Sequence, residues 1–417
     1  MQRKPLKVMI IGAGTGGLCL AQGLKRDGVA VDVFERDRSP TDRLQGYRLS
    51  ISPAGSRALK ACLPDAVFAK LVEESANPSE AVTFLDHRLH RLLAIELPHR
   101  DRNAVDSERP ISRIALRRIL LEGLDAEVHF DKKFAAYEEA PGGGVLARFA
   151  DGSTATADVL VGADGASSPV RAQRLPQAKR VETGITVVSG KFRARRHASG
   201  ETPPEIWRGP TLIIGPDGHF MFTGGVEYDA AHSAAIENQE DYAMWGVSAR
   251  REDFVLPAGY EALNGEALKS AALKLIDEWH PTLQHMVERA EPSTVVAFPV
   301  KTSVPIEAWS TTNVTLLGDA LHNMTPYGGV GANTALRDAA ALRMALVGVD
   351  RGEQELIPAL AAYEREMIDY GFAAVRMSLG NMKRFHEKNP IARAFTKTLF
   401  RAVDHVPPLQ AMFRAER

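Results

Sequence analysis

Near the start of the chain, the pattern of apolar and polar residues is first that of a strand, then that of a helix, and then that of a second strand. Lys7–Ile11 reads KVMII, an almost wholly apolar run that is typical of a parallel strand buried on both faces. After a glycine-rich turn, apolar residues recur at helical spacing over Leu18–Leu24, and Gly28 is predicted to close that helix. Val29–Phe34 is a second buried strand. The pattern predicts a β-strand, α-helix, β-strand unit of a doubly wound sheet.

Two later segments repeat a buried strand that runs into a glycine turn. Residues 158–165 read DVLVGADG, and a short helix capped by Ser167 or Ser168 is expected after them. Residues 314–319 read VTLLGD, and a second glycine cluster, residues 328–331, then opens another helix. Because the carboxyl ends of parallel strands meet at one edge of such a sheet, we expect one ligand site there.

The middle of the chain has a different pattern. Segments of alternating or continuous apolar residues predict strands, and GPDG at residues 215–218 predicts a hairpin turn. A helix is expected over 267–279, ended by Pro281 and followed by a shorter helix to about 290. The strand-like segments are GITVVSGKFRA, TLIIG, HFMFTGGVEY, YAMWGVSA and STVVAFPV.

These patterns predict three parts. Residues 1–180 and 300–350 form a discontinuous nucleotide-binding domain, and residues 181–299 form an inserted domain with an antiparallel sheet. Residues 351–417 are helical in pattern, with breaks at Pro390 and at residues 407–408.

The first glycine turn matches G-x-G-x-x-G at Gly12, Gly14 and Gly17. Gly12 permits a tight turn, Gly14 lets the backbone approach a pyrophosphate, and Gly17 lets helix and strand pack closely. The helix start offers unpaired N–H groups and the positive end of its dipole. Glu35 ends the second strand, where it would accept hydrogen bonds from a ribose and disfavour a 2′-phosphate. The alternative interpretation is a glycine-rich turn with a structural role alone.

Composition narrows the functional classes. The chain of 417 residues has 51 basic and 52 acidic residues, and this balance argues against nucleic acid as the main partner. Two cysteines exclude a disulfide framework, and no metal-ligand spacing is present, so no metal is expected. No targeting segment and no apolar run long enough to span a membrane is found, which predicts a cytoplasmic protein, as a monomer or a homodimer.

The glycine turns with Glu35, with Asp164-Gly165 and with Gly318-Asp319 together resemble the flavoprotein hydroxylases of the para-hydroxybenzoate hydroxylase type. GDALHNMTPYGGVGANTALRDA is most similar to the branch that includes the tetracycline-inactivating flavin monooxygenases. The resemblance covers residues 7 to 339. It implies an α/β fold with a Rossmann-like FAD-binding domain, an inserted antiparallel-sheet substrate domain and a C-terminal helical segment.

The resemblance assigns adenosine and nicotinamide contacts to the first half of the chain. Glu35 would bind the adenosine ribose and Arg36 would flank the adenine. Arg43 corresponds to an arginine implicated in NADPH contact, and Arg113 to an arginine at the start of a helix that contacts FAD. Ser50 would lie near the flavin, although the tetracycline-inactivating enzymes carry aspartate there.

Further cofactor contacts follow from the two later turns. Asp164 belongs to a motif credited with FAD and NAD(P)H binding, and Asp319 to one that holds the ribityl and pyrophosphate portion. The helix start beside the flavin pyrimidine ring corresponds to Gly329, Val330, Gly331 and Ala332. Val330 departs from the Glu or Gln common there. The N–H groups and the dipole of this helix start would stabilise anionic reduced flavin.

Four residues are candidates for substrate contact: Arg48, Phe220, Phe222 and Pro326. For the two phenylalanines, core packing is the favoured alternative. No residue is assigned a catalytic role, since the cofactor carries the oxygen chemistry. His322 follows the Gly318-Asp319 turn, and we favour a structural role for it over proton donation.

The resemblance implies an FAD-dependent monooxygenase. With NADPH or NADH and O₂ it would hydroxylate or epoxidise an aromatic, polyketide-like or other electron-rich small molecule, through a flavin C4a-hydroperoxide. Since the sequence has no second nucleotide fold, the nicotinamide would dock transiently or a separate reductase would supply electrons. The alternatives are a halogenase, although its W-x-W-x-I-P signature is absent, a prenyl reductase, or a flavoprotein that binds its ligand without turnover.

Overall fold

The computed structural model describes residues 5–40, 42, 48–140, 143–196, 201–227 and 241–405. Contacts divide the chain into two compact units. Unit 1 consists of Met1–Glu74, Asn103–Val181 and Lys301–Leu379. Unit 2 consists of Ser75–Arg102, Glu182–Val300 and Gly380–Arg417.

The secondary structure follows the sequence pattern closely in most places. The strands are β1 (Lys7–Ile11), β2 (Ala30–Phe34), β3 (Arg48–Ile51), β4 (Ala81–Asp86), β5 (Arg91–Glu96), β6 (Arg109–Ser112), β7 (Val128–His129), β8 (Phe134–Glu139), β9 (Val145–Phe149), β10 (Thr154–Ala157), β11 (Val159–Gly162), β12 (Arg180–Arg193), β13 (Thr211–Ile214), β14 (Phe220–Val226), β15 (Tyr242–Arg250), β16 (Val296–Ser303) and β17 (Val314–Leu316). The α-helices are α1 (Thr15–Arg26), α2 (Pro53–Cys62), α3 (Asp65–Glu74), α4 (Arg113–Leu121), α5 (Pro169–Arg174), α6 (Gly265–Leu275), α7 (Pro281–Glu288), α8 (Asp319–His322), α9 (Gly331–Asp350), α10 (Leu356–Phe385) and α11 (Pro390–His405).

Unit 1 is built around a parallel five-stranded sheet in the order β17-β11-β1-β2-β7. Its central strands are buried on both faces, as the apolar runs predict. From β1 the chain reaches β2 through α1 on one side, whereas β11 lies on the other side. The strand order therefore reverses beside β1, which is where doubly wound sheets bind ligands.

Smaller sheets complete unit 1. Strands β8, β9 and β10 form an antiparallel sheet, and β3 pairs with β6. Helix α9 packs against α1 and α2. The predicted α/β class and Rossmann-like domain are thus confirmed.

Unit 2 contains a seven-stranded sheet in the order β16-β12-β15-β14-β13-β4-β5. The predicted hairpin at residues 215–218 joins β13 and β14, with Ile214 opposite Phe220. Strands β14 and β15 are also antiparallel, whereas β13 and β4 are parallel. The side chains of Trp245, Met286 and Leu283 lie in its core.

The first helix of unit 2 is shorter than expected. It was predicted over 267–279, but α6 ends at Leu275 and Pro281 begins α7. The residue before a proline avoids the helical region, and His280 is accordingly non-helical at φ −53° and ψ 134°. Residues 276–279 therefore form a turn that redirects the chain before the next helix begins.

Residues 75–102 lie in unit 2, although the predicted division placed them in the nucleotide-binding domain of residues 1–180. Their strands β4 and β5 extend the seven-stranded sheet. The difference arises because β4 pairs with β13, which is distant in sequence. The apolar run AVTFLD predicts a strand but does not indicate which strand it pairs with. The predicted C-terminal helices are present as α10 and α11. Among the described residues, no helix has the length and apolar character needed to cross a membrane.

Candidate functional site

Three strand ends meet at one edge of the parallel sheet. Ile11 lies beside Gly162, and Gly162 lies beside Leu316. The turns that follow are joined by backbone hydrogen bonds, from Ala163 N–H to the Ile11 carbonyl at 2.8 Å and from Leu317 N–H to the Gly162 carbonyl at 3.0 Å. The sequence prediction that the three glycine turns converge is therefore what the structure shows.

The three glycines of the first turn face different surroundings. A Cβ at Gly12 would lie 2.5 Å from the Ala163 carbonyl oxygen, and a Cβ at Gly17 would lie 2.2 Å from the Gly12 carbonyl oxygen. Gly14 has extended backbone and no heavy atom within 4 Å of its Cβ position. Gly12 and Gly17 allow close packing, whereas Gly14 borders open space at the uncapped start of α1. That space can admit an anionic group toward the helix N–H groups.

Glu35 fastens the first turn. Its Oε2 accepts a hydrogen bond from Ala13 N–H at 2.7 Å, and its Oε1 accepts one from Asp37 N–H at 2.9 Å. Arg117 of α4 lies 3.9 Å from Glu35 and 3.0 Å from Asp37. Each carboxylate oxygen can accept a second hydrogen bond, so these contacts leave Glu35 able to bind a ribose. Sequence reasoning missed Arg117, which lies one helical turn after Arg113.

Asp164 lies in the second turn, and only one of its two carboxyl oxygens has a hydrogen-bond partner among the described residues. Its Oδ2 accepts a hydrogen bond from Val170 N–H at 3.2 Å, while its buried Oδ1 has no partner among the described residues. Burial raises the pKa of Asp164 above its ordinary value, against the opposing effects of its hydrogen bonds and of Arg171. Of the two predicted caps, Ser168 is the one that accepts a hydrogen bond at the start of α5.

We expect the free energy of unfolding of the FAD-free protein to depend on pH through the ionisation of Asp164. A raised carboxyl pKa means that the folded state holds the proton more tightly than the unfolded chain. The resulting stabilisation is complete below the unfolded pKa of about 4 and is lost as pH rises through the folded pKa. Unfolding free energies measured in urea across this pH range should show the wild type losing stability relative to Asp164→Asn, which cannot titrate. A difference that stays constant with pH would contradict this assignment.

Arg171 connects the second and third turns. Its guanidinium donates to the Ala166 carbonyl at 3.0 Å and to the Ala320 carbonyl at 2.8 Å. Asp319, which begins α8, is exposed, and a Cβ at Gly331 would lie 4.0 Å from its Oδ1. The third turn and the start of α9 are therefore adjacent.

The start of α9 contains the second glycine cluster and has no side-chain cap. The Cβ position of Gly329 faces open space, whereas Val330, Gly331 and Ala332 are partly buried. Asn333 fixes this end, because it donates to the Ser50 carbonyl at 2.9 Å and accepts from Ser52 N–H at 2.8 Å. Sequence reasoning did not select Asn333, although it lies within the matched motif of residues 318–339.

Ser50 and Arg48 share a partner on the chain that precedes β6. The Ser50 hydroxyl is hydrogen-bonded to Glu108, and Arg48 Nη2 lies 4.0 Å from the same carboxylate. The sequence pattern gave no signal for Glu108, which reaches these residues through the pairing of β3 with β6.

The remaining predicted residues differ in their surroundings. Arg36, Arg113 and Pro326 are exposed in unit 1, and Arg43 lies outside the described residues. Phe220 in unit 2 is buried and stacks on Phe385 with ring centroids 4.7 Å apart, as its packing interpretation predicted. Phe222 is partly buried.

A family model described as an FAD binding domain matches residues 111–378, more than half of the chain. The chain belongs to this FAD-binding family. A second model, described as an NAD(P)-binding Rossmann-like domain, matches residues 10–61, which include the first glycine turn. FAD is thus the cofactor of this flavoprotein.

Known relatives of the flavoprotein carry the names of FAD-dependent monooxygenases. It is 31% identical over 412 residues to the dual O-methyltransferase/FAD-dependent monooxygenase CTB3 of Cercospora beticola. The matched region covers 92% of this chain but only 46% of CTB3. It is 27% identical over 379 residues to the FAD-dependent urate hydroxylase of Klebsiella pneumoniae, which is 87% of this chain and 86% of the relative. The flavoprotein therefore spans less than half of the first relative's length.

A solved structure agrees with this placement. A crystal structure from Photorhabdus luminescens subsp. laumondii, described as that of an FAD-containing monooxygenase, matches with a TM-score of 0.81 and 32% identity. The match covers 91% of the flavoprotein and 98% of that chain. The predicted family of FAD-dependent monooxygenases is confirmed, while its narrower tetracycline-inactivating branch stays a prediction.

Proposed function

We propose that the flavoprotein is a monooxygenase that takes two electrons from NADPH or NADH and transfers one atom of O₂ to an electron-rich small molecule. In the balanced reaction, substrate, O₂, NAD(P)H and a proton give hydroxylated product, NAD(P)⁺ and water. The observation that carries the proposal is the open space before Gly14 at the edge where three strand ends meet, in a chain of the FAD-binding family.

The residues at this edge fit the parts of FAD. The uncapped start of α1 supplies N–H groups for the pyrophosphate, and Glu35 supplies carboxylate oxygens for the ribose. The unpartnered Oδ1 of Asp164 and the exposed Asp319 supply acceptors along the same edge. The uncapped start of α9, with Gly329, Val330, Gly331 and Ala332, supplies N–H groups to an anionic ring edge.

The division of labour follows from this fit. Bound FAD would supply the redox and oxygen chemistry, whereas the protein binds, orients and neutralises charge. Arg36 is an exposed cation proposed to flank the adenine, and Arg113 is an exposed cation proposed for FAD contact at the start of α4. Arg43 is proposed for NADPH contact. We propose Ser50, Arg48, Phe222 and Pro326 for the flavin and substrate side. Phe220 is the weakest candidate, because its ring is already stacked in the core of unit 2.

Anaerobic stopped-flow absorbance of the holoprotein tests the proposal. Mixing with NADPH or NADH should bleach the oxidised flavin band, and an aromatic substrate should accelerate the bleaching. Phenols, polyketides and uric acid form a suitable panel, since a relative is named for urate hydroxylation. Turnover under ¹⁸O₂ should place one labelled atom in the product.

Other outcomes separate the alternatives. Flavin reduction followed by product without label would indicate a reductase or a halogenase. Substrate binding without any nicotinamide oxidation would indicate a flavoprotein that binds its ligand without turnover. A purified protein that binds no FAD would refute the proposal at its first step.

A further inference from the structure

A buried polar cluster lies behind the turn that carries Asp319. Asp338 of α9 has no solvent exposure, and its oxygens lie within hydrogen-bond distance of three polar groups. Its Oδ2 accepts a hydrogen bond from Gly318 N–H at 2.7 Å and lies 2.7 Å from His322 Nε2. Its Oδ1 accepts a hydrogen bond from the Tyr370 hydroxyl at 2.6 Å. One carboxylate of α9 therefore holds the residue before α8 and the last residue of α8.

Both oxygens of the buried Asp338 side chain have partners in this cluster. They accept hydrogen bonds from Gly318 N–H and the Tyr370 hydroxyl, and one of them also lies within hydrogen-bond distance of the His322 ring. Burial lowers the pKa of His322, but the carboxylates of Asp338 and then Asp319 outweigh this effect, so its pKa is raised above the ordinary value. The neighbouring Asp338 therefore favours the charged form of His322, and a hydrogen bond between charged partners belongs to the stronger class.

The neighbouring helix is shaped around this contact. A Cβ at Gly371 of α10 would lie 2.6 Å from His322 Cδ2, so the imidazole occupies the space of a missing side chain. The guanidinium of Arg337 lies 3.7 Å from the centroid of the Tyr370 ring. By contrast α8 has only four residues and no side-chain cap, too few for helical hydrogen bonds to fix its position. The position of the Gly318–Asp319 turn therefore depends on contacts with buried residues such as Asp338.

We propose that Asp338 is a positioning residue for FAD, which holds the Gly318–Asp319 turn in the arrangement that presents Asp319 to the cofactor. The inference rests on the proposed function, because only that function assigns Asp319 to FAD. Asp338 is buried and acts through the turn, without touching the cofactor.

The test compares FAD dissociation constants of holoprotein variants, measured by equilibrium dialysis with flavin fluorescence. Asp338→Asn keeps the shape of the side chain and removes its charge, and we expect it to weaken FAD binding about tenfold or more. The matched control is Glu364→Gln. Glu364 is also buried in unit 1, and it accepts hydrogen bonds from the hydroxyls of Thr311 at 2.6 Å and Thr315 at 2.9 Å, not from Gly318. We expect its FAD affinity to stay within about twofold of the wild type.

The thermal midpoints of both FAD-free variants separate positioning from general loss of stability. A weaker FAD affinity for Asp338→Asn alone, at comparable midpoints, supports the proposal, and equal losses in the two variants overturn it. If Asp338→Asn does not fold, Tyr370→Phe removes one donor and should weaken FAD binding about threefold. An unchanged affinity in that variant overturns the proposal. Failure of the proposed function appears instead in the wild type, as a protein without FAD affinity.

Discussion

Replacing Gly14 with valine is expected to weaken FAD binding about 100-fold or more, equivalent to about 2.7 kcal/mol. The backbone of Gly14 is extended and nothing lies within 4 Å of its Cβ position, so the Cβ of valine meets no protein heavy atom there. The isopropyl group would instead occupy the space through which a pyrophosphate reaches the N–H groups of α1. The dissociation constant measured by fluorescence titration with FAD checks the result.

The same variant should remain folded. Gly14 is the N-cap of α1, where valine is less favourable than glycine by about 1 kcal/mol. Gly14→Ala adds one methyl group and should weaken FAD binding to an intermediate extent. If the valine variant binds FAD as tightly as the wild type, the pyrophosphate does not lie before Gly14 and the proposed site is misplaced.

The parts of the fold that the sequence predicted well depend on neighbours in sequence. The bounds of β1 agree with the apolar run Lys7–Ile11, and β2 begins one residue after the predicted start. An apolar run ended by glycine predicts a buried strand and a turn, because both depend on residues that are neighbours in sequence. The convergence of three turns could be predicted because parallel strands impose it.

The contacts that were missed depend on partners distant in sequence. Glu108 meets Ser50 only because β3 pairs with β6, and Asn333 reaches Ser50 and Ser52 across more than 280 residues. Asp338 likewise has no local sign of its role, since an aspartate within a helix resembles any solvated polar position. Only the fold shows that this residue is buried beneath the third turn.

Glu35 shows how the two kinds of information combine. Its position after β2 predicted an acceptor for a ribose, and the structure adds that it also holds the first turn through Ala13 N–H. A single carboxylate can thus link the conformation of the glycine turn to the occupant of the site. Substitution of Glu35 therefore changes both the turn and the binding surface, which makes it a poor probe of either one alone.

Gly12→Ala, by contrast, should act on the fold itself and destabilise the FAD-free protein by about 3 kcal/mol or more. Gly12 has φ +110°, which alanine rarely adopts, and its Cβ would lie 2.5 Å from the Ala163 carbonyl oxygen. Ala163 follows β11 and its N–H is hydrogen-bonded to the Ile11 carbonyl at the end of β1, so the carbonyl oxygen cannot move away without disturbing this pairing. The free energy of unfolding in urea measures the loss.

Gly28→Ala separates the two causes of that loss. Gly28 also has a positive φ, +82°, but nothing lies within 4 Å of its Cβ position. Alanine at this position is strained only by the left-handed backbone conformation, and it should lower the free energy of unfolding by about 1 kcal/mol. The excess at Gly12 is the steric cost of bringing two strand ends together, which is the contact that builds the edge where FAD binds. Equal losses at the two positions would show that backbone conformation, rather than this contact, requires glycine in the first turn.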